Sequence, residues 1–187
     1  EWLRGWLWAQ DIRSNLVLVG FTLGSCIALQ YALDYPEEVK GLVLMTVAMR
    51  SKKRGPDALN MRLAADKSPE AYQTWLEYQR HAMMFVDPDL RERLMECHEK
   101  VGPISQHDDL VVIDKFDVTD RIGDLKAPLV LIRGVDDPGA PPEYELEIHE
   151  AVPGSKYVKL SGAGHFPMAE KPEEVNRAIE ELQARVG

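Results

Sequence analysis

The chain opens with apolar residues at helical spacing. Leu3, Trp6 and Leu7 fall on one face of residues 1 to about 12, which predicts a short helix. The period then changes. Leu16-Val17-Leu18-Val19-Gly20-Phe21 is a continuous apolar run, the pattern of a strand buried on both faces of a parallel sheet. From Gly24 to Tyr35 the apolar positions Ile27, Ala28, Tyr31 and Ala32 return to helical spacing. Pro36 stops that helix, because the residue before a proline is pushed out of the α region. Gly41 to Thr46 reads as a second buried strand, so the first 46 residues form a βαβ unit.

From Val47 to about Leu125 strand signals are weak and helical patterns dominate, notably Pro69 to Met84 and Pro88 to Lys100. Strand character resumes at Leu129 to Gly134. A loop holding Asp136, Asp137, Pro138 and Gly139 follows, then a helix near Glu143 to Ala151 and a short strand at Lys156 to Leu160. After the loop Ser161-Gly162-Ala163-Gly164-His165, a last helix opens at Pro172. Glu173 and Glu174 complement its N-terminal dipole, and Val175, Ala178, Ile179 and Leu182 form its apolar stripe. The pattern is that of an α/β sheet domain with a helical insertion between its second and third strands.

Composition narrows the partners. With 187 residues the chain has room for one substantial core, and 45% apolar with 28% charged residues is ordinary for a globular protein. A formal net charge of -9 argues against nucleic-acid and anionic-membrane surfaces, which need clustered positive charge. The basic run Arg50-Ser51-Lys52-Lys53-Arg54 has no aromatic residue within it and reads as a solvated loop. No apolar run approaches a bilayer span and no signal-peptide pattern is present. Two cysteines without CxxC spacing, Cys26 and Cys97, point to free thiols, a cytoplasmic location and no zinc site. The start at Glu1, running into Trp2-Leu3-Arg4-Gly5-Trp6, reads as the interior of a longer polypeptide.

One constellation carries chemistry. Gly20-Phe21-Thr22-Leu23-Gly24 lies between a buried strand and a helix, where a sharp turn would push residue 22 into the open. Small residues at positions 20 and 24 would let the chain turn that tightly. The Leu23 N–H, at the helix start, would face a developing oxyanion. Asp136 and Asp137 taken alone are turn residues, and His165 alone is a loop histidine. His81, His98, His107 and His149 show no paired spacing and read as surface or insertion residues.

Together, three segments resemble the α/β-hydrolase superfamily, in its capped esterase, lactonase and C–C hydrolase branch. They are Val19 to Ala32 with Tyr35-Pro36-Glu37, Leu131 to Pro142, and Leu160 to Pro172. The resemblance implies a mostly parallel sheet flanked by helices, with residues 1–46 and 126–187 as core and 47–125 as a helical cap. It implies a nucleophile–acid–base order of Thr22, Asp137 and His165, with Asp136 as the alternative acid and Leu23 in the oxyanion hole. A small-molecule ester, acyl or C–C substrate is implied, and no cofactor or metal. Trp75, Tyr78, Met83, Met84 and Phe85 in the cap point to an apolar acyl or aromatic group.

Two departures from the family pattern matter. The elbow position holds threonine, where the family has Ser, Asp or Cys. A β-branched residue at positive φ is strained, at a cost of about 1–3 kcal/mol, so turnover weaker than with serine is expected, or an idle fold used for binding. Ser25 and Cys26 are expected to point away from the site. The family's first strands and the loop that supplies a second oxyanion N–H are absent from this chain. The strand at 16–21 is then an apolar edge, to be covered by an N-terminal segment or by a second copy.

Overall fold

A computed structural model describes residues 1–51 and 56–187, so Lys52, Lys53 and Arg54 of the basic run lie outside the described residues. Four strands form one sheet in the order β1-β2-β3-β4: β1 (Leu16–Phe21), β2 (Val39–Met45), β3 (Leu129–Gly134) and β4 (Lys156–Leu160). Every neighbouring pair is parallel, with Val19 opposite Val43, Val43 opposite Val130, and Ile132 opposite Val158. Parallel neighbours need crossover connections, and helices supply them. Helix α2 (Leu23–Asp34) joins β1 to β2, and α6 (Glu143–Ala151) joins β3 to β4. Helix α1 (Trp2–Ala9) precedes the sheet; α7 (Pro167–Glu170) and α8 (Pro172–Val186) follow it.

The sheet is buried on both faces because its residues alternate between two cores. Leu42 and Leu44 of β2, with Leu129 and Leu131 of β3, pack against Leu29 and Ala32 of α2 and Ile148 of α6. Val43 and Met45, with Val130 and Ile132, pack on the other side against Val175, Ala178 and Leu182 of α8. A continuous apolar run is what such a two-faced strand requires. The two edge strands are the exceptions. β1 and β4 each have one strand neighbour; Val19 of β1 is 47% exposed, and Lys156 and Lys159 of β4 are exposed.

Between β2 and β3 lie α3 (Pro56–Ala65), α4 (Pro69–Ala82) and α5 (Pro88–Asp114), then a short 3-10 turn at Ile122–Asp124. The chain leaves and re-enters at one place, where Arg50 bridges Asp117 and the Val118 N–H donates to Met49 O at 2.8 Å. Val47, Val118 and Ile122 pack into the sheet's own core, whereas Ala65, Trp75, Leu76, Met83, Val86 and Met95 form a separate core between α3, α4 and α5. The α5 pattern, expected to end near Lys100, continues to Asp114 past a break at Gly102 (φ 81°, ψ 164°) and Pro103. There the missing proline N–H interrupts the hydrogen-bond ladder and the axis turns.

Candidate functional site

The C-terminal ends of the strands gather the residues singled out in the sequence, at the end of an open α/β sheet where ligands bind. β1 ends at Phe21, and Thr22 follows at φ 49°, ψ -115°, directly before α2. Its N–H donates to Met45 O (3.1 Å), and its carbonyl accepts from Ser25 N (3.0 Å) and Cys26 N (3.2 Å). Backbone bonds on both sides thus hold the left-handed conformation in place.

Of the two motif glycines only one is sterically required. A Cβ on Gly20 would stand 2.6 Å from Gly24 O and from Ser25 N, whereas a Cβ on Gly24 would meet nothing within 4 Å. The tight turn brings the start of α2 over residue 20; it leaves residue 24 facing outward. Leu23 N–H opens α2, where helix N–H groups have no acceptor in their own helix.

The loops after β3 and β4 are locked together. Val135 N donates to Leu160 O (3.0 Å) and Asp136 N to Ala163 O (2.9 Å), while Asp136 Oδ2 accepts from Gly162 N (3.0 Å). A Cβ on Gly134 would fall 2.1 Å from Gly164 O, so only glycine allows this approach. Asp136 is thus engaged with backbone. It is Asp137 whose Oδ2 lies 2.9 Å from His165 Nδ1, and its Oδ1 accepts from Gly139 N (2.7 Å) and Ala140 N (3.3 Å). The Asp137 side chain is 2% exposed. Burial alone would raise its pKa, but the bond to His165, the His165 charge, the Gly139 N–H and Arg133 together hold it below the ordinary carboxylate value. His165 packs edge-on to Phe21 (ring centroids 5.4 Å apart) and to Phe166 (5.2 Å).

Two supporting carboxylates were not singled out for the site by the sequence, although Glu170 falls within the Leu160 to Pro172 segment that carries the resemblance. Glu170 Oε2 accepts from Gly164 N at 2.6 Å and so ties down the residue before His165. Burial pushes its pKa up. Beneath the Asp137 loop, Arg133 donates to Glu145 Oε2 (3.0 Å) and to Ala140 O (2.5 Å), with both side chains buried. The Arg133 bond to Ala140 braces the loop from below.

Thr22, Leu23, Asp137 and His165 line one cavity of about 710 Å³, roofed by α3, α4 and α5. Among the described residues the Thr22 hydroxyl makes no hydrogen bond, to His165 or elsewhere. Of the aromatic and methionine residues expected to define the pocket, only Tyr78 lines it. Trp75 and Met83 are fully buried in the helical layer's own core. The apolar wall comes instead from α5, through Leu94, Val101, Leu110 and Ile113.

His98 and the exposed His81, both in the insertion, also line the cavity. Ser25 does point away, bonding Met45 O (2.9 Å), but Cys26 lines the cavity: four residues after Thr22, it lies on the same face of the helix. Among the described residues neither cysteine forms a disulfide, and there is no cluster of three or more His, Cys, Asp or Glu arranged for a metal. No described helix is long and apolar enough to cross a membrane.

Comparison with known proteins agrees with this architecture. A thermophilic esterase from Thermogutta terrifontis superposes with a TM-score of 0.82 at 25% identity, covering 98% of this chain and 70% of that one. A 2-hydroxy-6-oxo-6-phenylhexa-2,4-dienoate hydrolase from Comamonas testosteroni is 25% identical over 180 residues, covering 90% of this chain. A proline iminopeptidase from Lactobacillus delbrueckii subsp. bulgaricus is 25% identical over 179 residues, covering 82% of this chain. The chain spans 63% and 60% of the length of these two relatives. The family model of the alpha/beta hydrolase family matches residues 3–178, and the chain belongs to that family.

Proposed function

We propose that the chain carries the catalytic constellation of a hydrolase that cleaves a carboxylic ester, or a related acyl or C–C substrate. The observation that carries this reading is the 2.9 Å contact of Asp137 Oδ2 with His165 Nδ1, made on a cavity that Thr22 also lines. Asp137 keeps the proton of His165 on Nδ1 and leaves Nε2 as a base. Nε2 takes the hydroxyl proton as Thr22 Oγ1 attacks the substrate carbonyl, and the Leu23 N–H stabilises the oxyanion. The proton then passes from Nε2 to the leaving group. Water, activated by the same nitrogen, releases the acyl group from Thr22. Residues 47–125 act as the cap that covers the pocket and selects the substrate. An N-terminal segment or a second copy covers the β1 edge, and the protein works in the cytoplasm.

A second reading is favoured by one observation, the absence of a hydrogen bond from the Thr22 hydroxyl to His165. On that reading the fold binds a ligand and does not turn it over. Hydrolysis of p-nitrophenyl butyrate by the chain and by Thr22→Ser separates the two. The hydrolase reading expects turnover by the threonine form and at least about a tenfold gain with serine, as the strain of a β-branched residue at positive φ is relieved. A folded Thr22→Ser chain with no turnover leaves the binding reading standing.

A further inference from the structure

The cavity wall contributed by α4 and α5 holds a hydrogen-bond relay whose donors and acceptors follow from one end. The indole Nε1–H of Trp75 can only donate, and it donates to Gln106 Oε1 at 3.0 Å. That identifies the oxygen end of the Gln106 amide. Gln79 Nε2 donates to the same oxygen at 2.5 Å. The Gln106 amide nitrogen therefore faces His98 Nδ1, at 2.8 Å. An amide NH2 offers hydrogens and accepts none, so Nδ1 is the bare nitrogen of His98 and a neutral ring carries its proton on Nε2. The bond also spans the break at Gly102 and Pro103, holding the two halves of α5 in one geometry.

Burial lowers the pKa of His98, which keeps the ring neutral at pH 7. Its ring lines the cavity, and among the described residues Nε2 has no hydrogen-bond partner. The ring stands edge-on to Phe166 (centroids 6.3 Å apart), which in turn stands edge-on to His165 (5.2 Å). A tautomer-fixed N–H thus belongs to a cavity-lining ring one phenyl ring away from His165. Asp109 and Arg62 line the same cavity with opposite charges, which leaves a neutral oxygen as the fitting partner for a neutral donor.

We propose that the Nε2–H of His98 is a specificity-determining donor, selecting substrates with a second, neutral acceptor oxygen (a ketone, ether or ester) remote from the scissile carbonyl. The proposal rests on the hydrolase reading for which bond is cleaved, but recognition is an equilibrium property and is read without turnover. In 15N-histidine spectra at pH 7 the His98 signals, assigned by their loss in His98→Phe, are expected to show the Nε2-protonated tautomer. An Nδ1-protonated ring or an imidazolium overturns the proposal.

In the Thr22→Ala chain, where neither ester is consumed, methyl 6-oxoheptanoate should bind about tenfold more tightly than its isostere methyl 6-methylheptanoate. The preference should vanish in His98→Phe and persist in part in His98→Gln, which keeps an N–H donor. Equal affinities in the presence of His98, or a preference that survives His98→Phe, overturn the proposal, as does tighter binding of the matching ω-carboxylate ester. Failure of the hydrolase reading would show separately, as no hydrolysis of either ester by the Thr22 and Thr22→Ser chains.

Discussion

The strand-end loops and the helical layer above them build the same cavity by different means. At the strand ends backbone atoms do the positioning: Thr22 is held between Met45 O and two helix N–H groups, and the Asp137 and His165 loops are bonded to each other. Glycine is required where main chains nearly touch, at Gly20 and Gly134. In the helical layer side chains do the positioning, through the core around Trp75 and the relay through Gln106 to His98. Backbone-built geometry leaves strict marks in a sequence. Side-chain-built geometry does not, because the residues that face a cavity depend on helix rotation and on where a helix breaks.

The contrast can be broken first at the chemistry. Asp137→Asn preserves the shape of the loop but removes the acceptor that fixes the His165 tautomer. Ester hydrolysis should fall by about 10³–10⁴-fold, read from kcat, with KM little changed. The same variant tests a pH signature. Because the Asp137 pKa is lowered in the fold, its stabilising contribution is present above the ordinary value of 3.8 and is lost as pH falls through the lowered one. Acid denaturation profiles should lose that limb in the asparagine form.

Next come the main-chain approaches and the helical core. Gly134→Ala would press a methyl group into Ala163 and Gly164, so urea unfolding should report a loss of about 3 kcal/mol or more. Trp75→Ala opens the core between α3, α4 and α5 and should cost about 3–5 kcal/mol. By contrast Tyr78→Ala, one turn further along α4 on a side chain that is 42% exposed and lines the cavity, should change stability by less than about 1 kcal/mol while shifting KM. Equal losses at 75 and 78 would mean that the helical layer has no core of its own.

Smaller effects sharpen the picture. Burial raises the Glu170 pKa above its ordinary 4.5, so stability falls as pH rises from that value through the raised one. Glu170→Gln keeps an acceptor for the Gly164 N–H and should flatten that fall in melting temperatures taken across the same window. The smallest change is expected at Gly24→Ala. The position is exposed, in a helix, with open space around a Cβ, and should move stability by no more than about 1 kcal/mol, in the stabilising direction.

Gly20 and Gly24 show how far the sequence could be read. Both looked like requirements of one tight turn, and only Gly20 is. β1, β2 and β3 were legible because each holds an apolar run bounded by turn residues, β4 was legible as the short Lys156–Leu160 segment between two turn-rich loops, and the start of α8 was legible from Pro172. The family resemblance put Asp137 ahead of Asp136, whereas turn chemistry alone does not separate them; in the fold Asp137 meets His165 Nδ1 and Asp136 meets Gly162 N. Tyr78 alone among the expected pocket residues lines the cavity, because Trp75 and Met83 face the helical core. Nor could the role of His98 be anticipated. It depends on the turn at Gly102 and Pro103, which carries α5 past Lys100 and brings Gln106 back to the imidazole.

The central claim is that residue 22 is a nucleophile served by His165. Intact-mass spectrometry after treatment with a fluorophosphonate tests it most directly. The Thr22→Ser chain should gain one phosphonyl group with loss of fluoride, mapping to residue 22, and His165→Ala on that background should nearly abolish the adduct. A folded Thr22→Ser chain that gains no adduct, or carries it elsewhere, would contradict the account.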